Sequence, residues 1–160
     1  PSVLFSLKRP KQLLASSYFA YLSLKGVAER HFSKNNYSLM LHALQFVDLA
    51  DKGIISKPIL LRYIDAWSKP GALTAMLNYY RALPYYLWNT RNEEIIIKVP
   101  TLLIHGTRDQ AATVEVMQAA FELVDSSMAG KSRFKQVNAT HWVGQEIPQT
   151  LLSEILQFAL

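Results

Sequence analysis

Val99-Pro100-Thr101-Leu102-Leu103-Ile104-His105-Gly106-Thr107-Arg108-Asp109 is the stretch whose reading decides the fold. Its apolar run, bounded by Pro100 and Gly106, has the length and composition of a parallel strand buried on both faces. It ends in a loop that presents one carboxylate, Asp109. A second strand, around Phe134 to Val137, leads into Asn138-Ala139-Thr140-His141-Trp142. That loop presents one imidazole, 32 residues after Asp109. Between the two, Thr113 to Val124 reads as a helix. Pro148 starts a final helix that offers Leu151, Leu152, Ile155, Leu156 and Phe158 for burial. Strand, helix, strand, helix is a βαβα pattern and sets the fold class as α/β.

N-terminal to this module the period is that of helices. Pro10 can sit in the first turn of a helix, along which Leu13, Leu14, Tyr18, Tyr21 and Leu22 recur at helical spacing. Gly26 is its expected stop. A second helix is expected over Ser38 to Leu49, with Leu41, Leu44 and Leu49 among its apolar positions. Ser56-Lys57-Pro58 is a start signal, a capping serine with proline just inside. The helix it opens carries Leu60, Leu61, Ile64 and Trp67, and Ser68-Lys69-Pro70-Gly71 breaks it. Ala72 to Leu83 forms the next helix, with Pro84 as its expected end. The sequence thus divides near residue 92, at Arg91-Asn92-Glu93-Glu94: a helical module over 1–92 and an α/β module over 93–160.

Composition narrows the classes further. The chain has no cysteine, so it has no disulfide framework, thiolate metal site or cysteine nucleophile, and the redox compartment stays open. Its formal charge is +5. Residues 1–98 hold thirteen Lys/Arg against six Asp/Glu, and residues 99–160 hold four against six. The basic residues are scattered singly (Lys8, Arg9, Lys11, Lys25, Arg30, Lys34, Lys52) and the aromatics among them fall at core-forming spacing. That describes a solvated face, not a nucleic-acid site. The four histidines lack metal-ligand spacing, and neither a metal nor a cofactor is expected. Charges interrupt every apolar run before it reaches membrane-spanning length. Localisation and membrane association stay open.

These residues resemble a known family, the α/β-hydrolases of the epoxide hydrolase type. The resemblance rests on Gln12-Leu13-Leu14-Ala15-Ser16-Ser17-Tyr18-Phe19, Ser68-Lys69-Pro70-Gly71-Ala72-Leu73, Leu77-Asn78-Tyr79-Tyr80-Arg81, and the pair of loops ending at Asp109 and His141. It covers nearly all 160 residues. It implies the latter half of such an enzyme: an all-helical cap (lid), preceded by a linker from the sixth core strand, then the last two strands of an incomplete core. Pro1 resembles the last residue of the Pro-His-Pro that ends that sixth strand. The family's chain order is nucleophile, acid, histidine. No Gly-x-Ser-x-Gly or similar elbow occurs here, so the nucleophile is expected before Pro1.

What the resemblance implies for chemistry is specific. An aspartate opens an epoxide to an alkyl-enzyme ester, and His141 activates the water that hydrolyses it. Asp109 orients His141 and stabilises its protonated form. Tyr80, in Asn-Tyr-Tyr-Arg, and Tyr18 donate hydrogen bonds to the epoxide oxygen; on periodicity alone both read as core residues. Gly106 is expected to allow a sharp turn beside Asp109. His105 is expected at a buried strand end, and His31 and His42 are given no role. The implied partner is a small, apolar, electrophilic substrate. A dehalogenase or esterase of the same superfamily, or a non-catalytic binding module, is the alternative. For the 160 residues alone we expect no epoxide turnover and a marginal, aggregation-prone fold, because the expected strands lack flanking neighbours. A thermal melt and a generic epoxide assay test this; a cooperative monomeric melt with turnover would overturn it.

Overall fold

The computed structural model describes residues 18–90 and 95–160. The chain divides into two compact units between Tyr86 and Leu87. The expected boundary at 91–92, like the helix start at Pro10, falls outside the described residues.

Six helices are described from Tyr18 onward: α1 (Tyr18–Ser23), α2 (Val27–Ser33), α3 (Ser38–Ala43), α4 (Phe46–Asp51), α5 (Lys57–Ser68) and α6 (Ala72–Asn89). The core of this helical unit is apolar and aromatic. Phe46 and Leu49 are almost fully buried, with Ala28, Phe32, Met40, Ile55, Trp67, Leu73 and Leu77 around them. The Phe46 ring lies 4.7 Å from Tyr63 and 6.2 Å from Trp67. Such ring contacts add to the area term that drives burial.

Backbone handedness explains where the helices break. Asn35, Asn36 and Tyr37 run consecutively through the left-handed region, at φ 49°, 53° and 61°. Asparagine tolerates this conformation and tyrosine does not. Tyr37 is held there because its hydroxyl donates to the Trp67 carbonyl at 3.2 Å and its ring packs on Trp67. The expected continuous helix over Ser38–Leu49 is instead two, because Gln45 takes φ 59° and turns the chain between α3 and α4. The Ser56 start is observed as an extended N-cap with proline in the first turn, without the side-chain cap bond.

Pro84 does not end its helix. Helix α6 runs through it to Asn89. Proline removes one donor and crowds the carbonyl four residues back, here that of Tyr80. The buried positions of α6, Leu73 and Leu77, lie in the turns before this defect and hold the helix independently of it.

The second unit is α/β. Strand β1 (Leu102–Gly106) pairs in parallel with β2 (Arg133–Val137), from Leu102 opposite Arg133 to Gly106 opposite Val137. Helix α7 (Val114–Phe121) and a 3₁₀ turn (Ser126–Lys131) join them, and α8 (Val143–Glu146) and α9 (Pro148–Ala159) follow. Outside these strands, Ile97 makes an isolated parallel bridge to Val124, after α7.

Two expectations about burial are corrected. Leu102, Leu103 and Ile104 are half-buried, and only His105 and Gly106 of β1 are buried. Among the described residues β1 has one strand neighbour, β2, so its apolar side chains are covered incompletely. In α9 the buried residue is Glu154, 3.1 Å from Lys135 and 3.6 Å from Arg133. Leu152, Ile155 and Leu156 are exposed. The helix turns its acidic residue to the two basic residues of β2, and at 100° per residue that sends Leu152 and Leu156 to the opposite side.

The left-handed Gln45 gives a test. A non-glycine residue there costs about 1–2 kcal/mol, part of which glycine returns as unfolded-state entropy. Gln45→Gly is expected to stabilise the protein by about 0.5 kcal/mol and Gln45→Val to destabilise it by about 1 kcal/mol. Urea unfolding of both variants checks the sign.

Candidate functional site

The ends of β1 and β2 lie side by side, and their loops are built into each other. Thr107 N–H donates to the Val137 carbonyl at 2.8 Å, and Arg108 N–H to the Ala139 carbonyl at 3.0 Å. Gly106 opens the expected turn, its carbonyl accepting from the Asp109 N–H at 3.1 Å, and glycine is required there by the closeness of the two loops. Its φ is not positive, so the turn does not draw on glycine's conformational freedom. A Cβ at Gly106 would collide with the carbonyl oxygens of Thr140 and Ala139, so no side chain fits.

This approach delivers Asp109 to His141. Asp109 Oδ2 accepts from His141 Nδ1 at 2.9 Å. Asp109 Oδ1 accepts from the backbone N–H groups of Ala111, at 2.7 Å, and Ala112, at 3.2 Å. The carboxylate is only 6% exposed and the imidazole side chain 53%. A buried acid therefore holds an accessible base by Nδ1, which leaves Nε2 as the ring's second functional nitrogen. His105, buried as expected, sets its Nδ1 3.9 Å from the same Oδ2.

The electrostatics follow from these contacts. For Asp109, burial raises the pKa, but hydrogen bonds from His141, Ala111 and Ala112 outweigh it and hold the carboxyl below its ordinary value. The Asp109 hydrogen bond, opposed by burial and aided by the carboxylate charge, holds His141 above 6.5. Burial dominates at His105 and pushes it down; Asp109 opposes and His141 reinforces.

Two residues that the sequence reading passed over secure the loops. Glu146 Oε1 accepts from the Thr140 N–H at 2.7 Å and from the Thr140 hydroxyl. Arg108 donates to Glu146 Oε2 at 3.0 Å and to Asn138 Oδ1 at 2.9 Å. Arg108 thus joins both loops to α8. The usable signal was an arginine beside the acid and a glutamate five residues after the histidine, a pattern that means nothing until the loops meet.

In the helical unit the structure brings Tyr18 and Tyr80 together. Their rings are 6.2 Å apart, edge to face, with Phe19 4.7 Å from Tyr18 and 5.1 Å from Tyr80. Burial, then the neighbouring Tyr79, raises the Tyr80 phenol above its ordinary value, so it stays a neutral donor. His31 and His42 bond locally, to the Tyr21 hydroxyl at 2.7 Å and the Ser38 carbonyl at 2.8 Å. Among the described residues no group of three His, Asp or Glu side chains could hold a metal, and no helix is long and apolar enough to cross a membrane.

No protein-family model matches the chain. It is 32% identical over 150 residues to the AB hydrolase superfamily protein YfhM of Bacillus subtilis (strain 168), covering 93% of this chain and 49% of that protein. It is 28% identical over 160 residues to Epoxide hydrolase 4 of Homo sapiens, covering 96% and 42%. The fold superposes on a point mutant of an epoxide hydrolase from Bacillus megaterium complexed with its product, (R)-3-[1]naphthyloxy-propane-1,2-diol, with a TM-score of 0.82 at 22% identity over 99% of this chain and 56% of that one. The chain spans about half the length of the curated relatives it matches. It resembles the α/β-hydrolase superfamily, and within it the epoxide hydrolases, and its architecture is part of the α/β-hydrolase fold.

The paired shifts set a pH window. Stability from His141, whose folded pKa is raised, is complete below about pH 6.5 and is lost as pH rises through the folded value. Stability from Asp109, whose folded pKa is lowered, is present above about pH 3.9 and is lost as pH falls through the folded value. Both contributions are complete together between about pH 3.9 and 6.5, the two ordinary values. Asp109→Asn removes the charge and the acceptor for Nδ1–H, so the titration midpoint of His141, followed by NMR at the ring C2 proton, is expected to fall.

Proposed function

We propose that the protein carrying these residues is a hydrolase that opens an epoxide through an alkyl-enzyme ester. The Asp109–His141 pair carries the reading: a buried carboxylate 2.9 Å from a half-exposed imidazole, on the loops after two paired parallel strands. The Tyr18–Tyr80 pair and the epoxide hydrolases among the relatives support an epoxide as substrate over an ester or a halide.

The steps balance as follows. A carboxylate outside these 160 residues attacks one epoxide carbon. The C–O bond breaks, and the departing oxygen gains a hydrogen bond, then a proton, from Tyr80 or Tyr18. A hydroxyalkyl ester results. His141 Nε2 then takes a proton from water as the water oxygen attacks the ester carbonyl. The imidazolium formed is stabilised by Asp109 through Nδ1–H. Collapse of the tetrahedral intermediate breaks the bond to the alkyl oxygen; the proton on His141 goes to that oxygen and the second water proton, left on the carboxyl, goes to the tyrosinate, so a diol leaves and both the carboxylate and the tyrosine are restored. Without the nucleophile the covalent step does not occur, so the 160-residue chain alone is inactive on this reading.

The two half-reactions use different residues, which separates them experimentally. In the full-length protein His141→Gln is expected to leave alkylation intact and block ester hydrolysis, so that mass spectrometry finds the epoxide-derived adduct on the protein. Asp109→Asn should lower kcat by roughly 10⁴-fold, as for the acid of a serine triad. Normal turnover by His141→Gln would remove His141 from the mechanism. Turnover of haloalkanes or simple esters, with none of epoxides, would replace the substrate class.

A further inference from the structure

Helix α1 is described over six residues, Tyr18–Ser23, with Leu22 as its buried residue. It presents Tyr18 and Phe19 to Tyr80 of α6. The residue next to Tyr80 is Arg81, and two of its contacts concern this docking. Its Nε donates to the carbonyl of Ser23, the last residue of α1, at 3.4 Å. One guanidinium nitrogen donates to Asn78 Oδ1 at 3.1 Å, within α6. The other lies 2.8 Å from Glu29 Oε1.

Glu29 is itself placed by two anchors. Its Oε2 accepts from the Gly26 N–H at 2.7 Å, where Gly26 takes φ 77° and starts α2. Its Oε1 also accepts from the Thr74 hydroxyl of α6, at 3.3 Å. The Glu29 and Arg81 side chains are 20% and 16% exposed, so the pair is screened little by solvent. The α1–α2 turn is therefore gripped at both ends by one ion pair, and the grip begins one residue from Tyr80.

We propose that the Arg81–Glu29 pair positions the two phenols, by locking the end of α1 and the start of α2 onto α6 at the separation that faces Tyr18 to Tyr80. This deepens the reading above, in which the two tyrosines act on one substrate oxygen, and gives Arg81 and Glu29 positioning roles without substrate contact. The geometry is suited to it. The guanidinium donates to Ser23 and Asn78 and pairs by charge with Glu29 at 2.8 Å, so polar contacts as well as adaptable apolar ones set the separation.

The test reads the ring pair without requiring activity. The protein is prepared with ring-labelled tyrosine, and Tyr18→Phe and Tyr80→Phe identify the two spin systems. Arg81→Met and Glu29→Gln are expected to keep the helical circular-dichroism signal and reduce the Tyr18–Tyr80 cross-relaxation peak several-fold. The Tyr80 phenol, no longer packed, should titrate closer to its ordinary value. Arg81→Lys should restore part of the peak. A peak of wild-type intensity in Arg81→Met or Glu29→Gln overturns the proposal. So does loss of the helical signal in both, which would make the pair a general folding element. In the full-length enzyme the same two variants should lower kcat by roughly 10- to 100-fold with a smaller change in KM. Unchanged kcat beside a lost peak would leave the positioning intact and overturn the role given to the tyrosines.

Discussion

Two parallel strands that end at the same level leave a row of backbone donors and acceptors with no further ladder to join, and the α/β unit depends on how that row is satisfied. Here the loop after β1 bonds the end of β2 and the loop beyond it, through Thr107 to Val137 and Arg108 to Ala139. The two chains then pass so closely that only glycine fits at position 106. Asp109 and His141 meet as a consequence of that backbone contact. The carboxylate is desolvated, which alone would raise its pKa, yet three N–H donors and one partner charge keep it ionised. A buried ionised acid is costly unless it is saturated with donors, and Asp109 is.

The helical unit solves a different problem with the same means. Its apolar core, centred on Phe46, Leu49 and Trp67, holds the middle helices. Helix α1 stands at one end of that unit with one fully apolar anchor, Leu22. Directional polar contacts make up the difference: Arg81 to Ser23, Glu29 to Gly26, Thr74 to Glu29. In both units an ion pair with at least one partly or fully buried member fixes the positions of the residues to which function is assigned. Arg108 and Glu146 do this for the two loops, as Arg81 and Glu29 do for the two phenols.

Much of this was legible in the chain. The switch from helical period to short apolar runs near Val99 located the α/β unit, and Pro148 and the Ser56-Lys57-Pro58 signal located helix starts. Tyr18 and Tyr80 were read from resemblance, since their spacing alone describes a core stripe. What was not legible depended on tertiary contact. Gln45 interrupts a helix although nothing in its type demands a left-handed residue. Pro84 fails to end one because the preceding turns are anchored by Leu73 and Leu77. Glu154 is buried in place of its leucine neighbours because two basic residues of β2 face it. Gly106 was noticed for flexibility and proved to matter for its missing side chain. Such positions are set by partners distant in sequence, which a periodicity cannot name.

The register of β1 on β2 also has a kinetic meaning. Each paired residue of β1 meets a partner 31 positions away, as Leu102 meets Arg133. Closing a loop of that length costs entropy before any ladder bond forms, whereas the turns of the helical unit close within a few residues. The helical unit also emerges from the ribosome before the α/β unit. Local structure around Phe46 and Trp67 therefore forms early, and the union of the acid and histidine loops comes late, only after the parallel pairing that carries them has closed.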